Sequence, residues 1–411
     1  MDVVIDRAAG LDVHKRTVVA TVRGPAGGGQ RSEVTRTFKT FTAELERLAR
    51  WLIKERVDVV AMEATGVFWL PVWYALTDAE LPVELVNAGH VKRVPGRKTD
   101  VKDSQWLAQL AECGLLRGSF IPPQEIRELR DLTRYRTKLI QERVRECQRM
   151  TKVLEDAQVK LDSVVTDPLG KSARLMMRAL IAGERDPQVL AELALGRLRP
   201  KTAVLAQALH GRFNDHHAFL LRLILDHIET LEATISDLND EVDRVIAPFA
   251  AARDLLDTIP GVGKRSAEVI IAEIGVDMSR FPTPAALASW AAMCPGHHES
   301  AGKHSSGKTR RGDVWLRTAL VECAWAAART HDTYLGAQFW RIARRRGEKR
   351  AAVAVGHSIL CIAWHLLTRD EPYHDLGGDY FAQRQDTRAR IDYHLRQLKK
   401  LGIEVQPTQA A

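Results

Sequence analysis

Val57-Asp58-Val59-Val60-Ala61-Met62-Glu63 is a nearly unbroken apolar run that stops on a carboxylate, and it reads as a buried strand. Just before it, Leu45, Leu48, Ala49 and Leu52 recur at helical spacing in a segment running from an N-capping Thr42 to Lys54. Further upstream, residues 11–14, 17–22 and 34–38 have strand character, and the glycine-rich stretch 24–29 closes a hairpin between the last two. Downstream, the pattern predicts a helix over 67–79, a strand over 83–86 and a helix over 100–113. Three strands followed by helix, strand, helix, strand and helix describe a mixed α/β sheet domain.

Beyond Pro122 the chain changes character. Residues 122–158 are highly charged and carry an apolar stripe of Leu129, Leu132, Leu139, Ile140, Val144 and Val153. A second stripe runs over 216–246 through Leu220, Leu223, Ile228, Leu231, Ile235, Leu238 and Val242. The pair predicts an antiparallel helical hairpin or coiled coil, the alternative being two core helices of one bundle. Past Pro248 the pattern is helical to about Arg369, broken by a Gly-, His- and Ser-rich stretch at 295–312, and the tail after Pro372 is polar and basic. The expected organisation is a sheet domain over 1–118, a helical linker over 119–250, a mostly helical C-terminal domain over 251–371 and a tail over 372–411.

Composition narrows the function classes. A chain of 411 residues exceeds one ordinary core, and 60 Lys and Arg against 52 Asp and Glu leave a net charge of +8, which favours a polyanionic partner without identifying it. The five cysteines, at 113, 147, 294, 323 and 361, form no Cys-x-x-Cys pair, which argues against a zinc site or a disulfide framework. With no evident leader or eighteen-residue apolar run, the expectation is a cytoplasmic protein without a membrane span.

Four carboxylates carry the candidate chemistry. Asp12 sits in a strand, with Leu11 and Val13 on the opposite face; Glu63 ends the apolar run, where α/β sheets place their sites. Asp100 and Asp103 are spaced i, i+3 at a predicted helix start, so they share one side of it. Singly, each has a plainer explanation: first-turn acids complement a helix dipole, and Asp12 suits a hairpin turn. Glu63 is harder to dismiss, because an acid at the end of so apolar a strand is costly without a cation or hydrogen-bonding partner. Together, strand-Asp, strand-Glu and helix-Asp-x-x-Asp fit a divalent-cation site for phosphodiester chemistry, which needs several carboxylates on rigid elements.

Two C-terminal segments suggest phosphate contact. Residues 256–267 join two apolar-periodic helices through a Gly261-Val262-Gly263 turn followed by Lys264 and Arg265, like a helix-hairpin-helix that offers backbone N–H groups to phosphates. An ATP-binding P-loop is excluded, since Thr258 and Arg265 stand where its first glycine and its Ser or Thr belong. The stretch 295–312 alternates small residues with Lys303, Lys308, Arg310 and Arg311, as a loop approaching phosphates requires, although an ordinary solvated basic loop has the same composition. The cluster Arg341, Arg344, Arg345, Arg346, Lys349 and Arg350 fits a solvated helix face as well as a nucleic-acid contact.

The segments Gly10-Leu11-Asp12-Val13-His14-Lys15, Met62-Glu63-Ala64-Thr65-Gly66 and Lys98-Thr99-Asp100-Val101-Lys102-Asp103 resemble the DEDD transposases of bacterial insertion sequences, relatives of the Piv-type invertases. The resemblance implies a ribonuclease-H-like N-terminal fold similar to the RuvC resolvase, with Asp12, Glu63, Asp100 and Asp103 holding Mg²⁺ or Mn²⁺. It places a nucleophilic serine at Ser300, five residues after Pro295, with Ser305 and Ser306 as weaker candidates; Lys303, His297, His298 or metal-bound hydroxide would activate it. It further implies donor and target DNA as substrates, a structured guide RNA, and a homodimer or homotetramer with a composite site. The alternative enzyme is a RuvC-like junction endonuclease in which water attacks and Ser300 is structural. Ser104 stands where many relatives have Ala, at a position that touches no proposed ligand.

Overall fold

The computed structural model describes residues 2–26, 30–64, 66–86, 103–296, 299–300, 302–304, 307–384 and 387–403. The chain divides into two compact units, residues 1–121 and 122–411.

The first unit is a five-stranded sheet in the order β3-β2-β1-β4-β5. Strands β1 (Ala8–Val13), β2 (Thr17–Pro25) and β3 (Arg31–Lys39) are antiparallel, while β4 (Val59–Glu63) and β5 (Val83–Val86) continue the sheet parallel to β1. The two-residue alternation of strands sorts the side chains onto two faces. Leu11, Val13, Val18, Ala20, Val60 and Met62 bury one face against α1 (Thr42–Lys54) and α2 (Trp69–Thr77). Ala8, Val59 and Ala61 lie on the other, covered by α3 (Asp103–Glu112) through Ala111. Thr42 does not cap α1: Phe41 holds the extended N-cap position, Thr42 is already in the helix, and no side chain bonds the free N–H groups.

In the second unit, α4 (Gln124–Asp156) and α8 (Asp215–Ile246) form a long antiparallel pair. Arg136 bonds Asn239, Arg143 bonds Glu232 and Asp156 bonds His217, so the partner's number falls as α4 advances. Three further helices, α5 (Lys171–Ile181), α6 (Pro187–Glu192) and α7 (Thr202–Leu209), gather at the far end of this pair around Met150, Met176, Met177, Leu205 and Leu225. Asn214 starts the return helix with a capping box, its side chain accepting from the His216 and His217 N–H groups while His217 accepts from the Asn214 N–H.

The near end carries α9 (Ala250–Asp257), α10 (Lys264–Ile274), α11 (Pro284–Trp290), α12 (Val314–Ala327), α13 (Tyr334–Arg346) and α14 (Glu348–Arg369). Among the described residues, α14 is the one helix long and apolar enough to cross a membrane by length and composition. Its apolar character has another cause, because Ala351, Val355, Ile359, Leu360 and Ala363 are buried where α14 packs on α11, α12 and α13. The tail expected to be merely polar contains α15 (Tyr380–Gln383) and α16 (Thr387–Lys400), and Phe381 stacks on Tyr334 with ring centroids 5.1 Å apart.

Candidate active site: carboxylates on a sheet and a serine on a hairpin

The last register pair between β1 and β4 is Leu11 with Met62, and Asp12 and Glu63 are the next residues along the two parallel strands. Adjacent strands lie about 4.8 Å apart, which brings these two backbone positions side by side. Because Leu11 and Met62 point into the α1–α2 core, Asp12 and Glu63 belong to the face that α3 covers. Both are half-buried, as suits carboxylates at the rim of a sheet.

Gly10 determines how closely α3 approaches. A Cβ there would stand 2.1 Å from the Ser104 carbonyl oxygen, 2.3 Å from the Ala108 nitrogen and 2.8 Å from the Leu107 Cβ, so the helix rests directly on the β1 backbone. Gly10 pairs with Thr21, whose hydroxyl meets that of Ser104 at 2.8 Å in a buried contact. Ser104 therefore pins the first turn of α3, and with it Asp103, the first residue of the helix. This role is not legible from sequence, because a lone serine near a helix start has no pattern that names its partner. At the other end of α3 the buried Glu112 accepts from Arg23 and Arg31, at 3.1 Å each, fastening the helix to β2 and β3.

His14 Nε2 lies 3.0 Å from Asp12 Oδ2, holding the carboxylate from the exposed side. Asp100 lies outside the described residues. Among the described residues no three His, Cys, Asp or Glu side chains form a group able to hold a metal ion. The donors present are carboxylate oxygens, which suit a hard divalent cation rather than zinc or copper.

In the second unit the stretch expected as a loop contains a small hairpin. Pro295 bridges Thr309, the Gly296 N–H donates to the Lys308 carbonyl at 3.0 Å, and β6 (Glu299–Ser300) pairs antiparallel with β7 (Lys303–His304). Ser300 is directly opposite Lys303 in this register, next to a turn in which Gly302 adopts φ +72°. His297, His298, Ser305 and Ser306 lie outside the described residues. The base of the hairpin is anchored: Arg310 donates to the Ser289 carbonyl and hydroxyl at 3.0 Å, and Arg317 donates to the Ala292 and Arg310 carbonyls at 2.8 Å.

A buried charge cluster holds the helix that follows. Asp313 caps α12 by accepting from the Trp315 and Leu316 N–H groups, and Arg134 reaches both Asp313 at 3.4 Å and Glu273 at 2.7 Å. Arg130 adds a contact to Glu273 at 3.1 Å, and Arg136 meets Glu268 at 2.6 Å. Burial pushes the Glu273 carboxyl up to about 7, opposed by the Arg134 hydrogen bond and reinforced by Asp313.

The predicted cations are dispersed. Lys264 opens α10 after the Thr258–Gly263 turn, but its Nζ is paired with Asp243 of α8 at 2.7 Å. Arg265 is exposed and lines a cavity of about 440 Å³ with Lys138, Gln141, Ser266, Trp315 and Glu322. Lys308 and Arg311 are exposed beside the hairpin, where Lys303 also lies.

Two family models match the chain, one over the region that holds the carboxylates and the other over the region that holds the serine hairpin. One, a transposase model of the DEDD, IS110 type, matches residues 9–158; the other, described as the transposase IS116/IS110/IS902 family, matches residues 253–341. The protein is a transposase. More particularly, it belongs to the IS110-type DEDD transposases. It is 27% identical to the transposase for insertion sequence element IS1111A of Coxiella burnetii, over 77% of this chain and 80% of that one. It is 25% identical to the putative transposase y4rJ of Sinorhizobium fredii, over 86% and 90% of the two chains. An uncharacterized 43.6 kDa protein of insertion element IS110 from Streptomyces coelicolor is 26% identical over 66% of this chain and 71% of its own. The family's DEDD character is in keeping with use of a divalent metal.

Proposed function

We propose that this transposase excises and integrates an insertion sequence by cutting DNA with Ser300 and exchanging strands through a phosphoserine intermediate, with Asp12, Glu63, Asp100 and Asp103 as its metal-binding set. The observation that carries the reading is the β1–β4 register, which makes Asp12 and Glu63 neighbours at the ends of adjacent strands, on the face covered by α3, the helix that Asp103 begins. The sheet order β3-β2-β1-β4-β5, with its first three strands antiparallel, supports a ribonuclease-H-like first unit.

In the proposed reaction the Ser300 oxygen forms a bond to phosphorus and the 3′ oxygen of the DNA leaves. The serine proton passes to a base, and the departing oxygen takes up a proton to become a 3′-hydroxyl. The phosphoserine retains the energy of the phosphodiester, so a 3′-hydroxyl from another strand displaces Ser300 in the reverse sense. Lys303, opposite Ser300 in the hairpin, is a candidate base alongside His297 and His298. A divalent cation, Mg²⁺ or Mn²⁺, held by the carboxylates supplies electrostatic stabilisation of charge developing at phosphorus. Arg265, Lys303, Lys308, Arg310, Arg311 and, once released from Asp243, Lys264 contact the DNA backbone. Sequence choice falls to a structured guide RNA, and the serine and the carboxylates of a homodimer or homotetramer come from different copies.

Labelled DNA incubated with the protein, candidate RNA and Mg²⁺ tests the reading. A covalent protein–DNA adduct is expected, lost in Ser300→Ala and strongly reduced in Glu63→Gln. An adduct that survives Ser300→Ala rules out the nucleophile, and Mg²⁺-dependent cleavage without any adduct favours a junction endonuclease that uses water.

A further inference from the structure

The sharp bend between α13 and α14 gathers Arg341, Arg344, Arg345, Arg346, Lys349 and Arg350 around the single acid Glu348, and all seven are exposed. On α13, Leu335 and Phe339 turn inward, while Trp340, Arg341, Arg344 and Arg345 occupy the opposite arc of the helix. Among the described residues none of the six cations takes part in an ion pair; the one contact formed is that of the Arg341 guanidinium, 4.3 Å from the Phe381 ring centroid. The contrast with α4 is direct. There Arg130, Arg134, Arg136, Arg143 and Arg149 each meet a carboxylate, so a high arginine content in this chain does not by itself produce unpaired charge.

Helix dipoles do not account for the cluster. Arg344, Arg345 and Arg346 do sit favourably at the C-terminal end of α13. Lys349 and Arg350, however, lie in the first turn of α14, the positive end of that helix, where cations are unfavourable. Six like charges within ten residues repel one another, and a polyanion relieves that repulsion by displacing its own condensed counterions.

We propose that the α13–α14 elbow is a contact surface for the phosphate backbone of DNA, separate from the Ser300 hairpin. The proposal rests on the reading of this chain as a DNA transposase. The six cations attract phosphate by charge, and phosphate contacts hold and orient DNA without reading sequence. Trp340, 46% exposed at the edge of the patch, adds a flat apolar wall.

The test uses the full-length protein, a fluorescent DNA duplex and no divalent cation, with affinity measured by anisotropy from about 50 to 200 mM salt. Each phosphate contact contributes about 0.9 to the slope of log affinity against log salt, so Arg344→Gln/Arg345→Gln/Lys349→Gln is expected to lower that slope by about 2 to 3. Arg344→Lys/Arg345→Lys keeps the charge and is expected to keep the slope, which separates loss of charge from loss of fold. An unchanged slope in the triple glutamine variant, while the parent binds DNA, overturns the elbow but leaves the transposase reading intact. A parent that binds no duplex at any salt overturns both. A slope lowered for RNA and unchanged for DNA also overturns the proposal, making the elbow an RNA surface instead.

Discussion

Replacing Gly10 by alanine tests the packing of α3 on β1, on which the proposed carboxylate site depends. The added methyl would start 2.1 Å from the Ser104 carbonyl oxygen and 2.3 Å from the Ala108 nitrogen, both backbone atoms of α3 that cannot rotate away. Restoring ordinary contact requires the helix to retreat by more than about 1 Å; overpacking of this kind typically costs about 1–3 kcal/mol. Retreat also stretches the buried Thr21–Ser104 hydrogen bond, now 2.8 Å, which adds about 1 kcal/mol. A total near 2–4 kcal/mol in a unit spanning residues 1–121 lowers the melting temperature of that unit by roughly 8–16 °C. Calorimetry resolves this transition, and hydrogen exchange of residues 103–112 reports the loosened helix. Since Asp103 moves with α3 relative to Asp12, DNA cleavage below the new melting temperature is expected to fall by about a hundredfold. A Gly10→Ala protein that melts within about 2 °C of the parent and cleaves normally would refute the reasoning.

Three further expectations follow from the second unit. Gly261 has φ +89°, and a Cβ there would stand 2.4 Å from the Cys323 carbonyl oxygen, so Gly261→Ala should cost about 3 kcal/mol in a denaturant titration; a loss under about 1 kcal/mol contradicts this. Arg136→Met strands Glu268, 1% exposed, and should destabilise by about 3–5 kcal/mol, whereas Arg136→Met/Glu268→Leu should recover most of that loss; equal losses in the two proteins would show that the pair is not coupled. Glu273 binds its proton more tightly when folded, at about 7 against an ordinary 4.5. Its stabilising contribution is full below about pH 4.5 and is lost as pH rises through 7, so Glu273→Gln should flatten the decline in stability between pH 5 and 8. Parallel pH profiles for the two proteins would rule this out.

Strand and helix placement was legible wherever a repeating apolar pattern met a clear stop. The strand over 83–86 and the helix over 42–54 coincide with the observed β5 and α1, and the two long stripes become α4 and α8 to within two residues at each end. The helices α5 to α7 escaped because they are short and joined by brief turns, and they bury their faces mainly against one another and the ends of α4 and α8. The serine hairpin escaped because β6 and β7 are two residues each, too short for any alternation to be read. For the candidate site, the residue types of Asp12, Glu63 and Asp103 were readable, but that Asp12 and Glu63 end neighbouring strands depends on which strands pair, which is a long-range property. Ser104 and Asp243 show the same limit: the first pins α3 through Thr21, the second engages Lys264, and each partner is distant in sequence.

The out-and-back path of α4 and α8 also has a consequence in time. Arg136 and Arg134 leave the ribosome 132 and 139 residues ahead of Glu268 and Glu273, the carboxylates that neutralise them. At about 5–20 residues per second, that gap lasts roughly 7 to 28 s. Through that interval the first turns of α4 carry charges destined for burial with nothing to meet them, so they remain hydrated while α5 to α7 and the return helix are made. Assembly of the helices flanking the serine hairpin is thereby deferred until most of the chain exists, and a truncated product ending before α10 has no means of completing that end of the molecule.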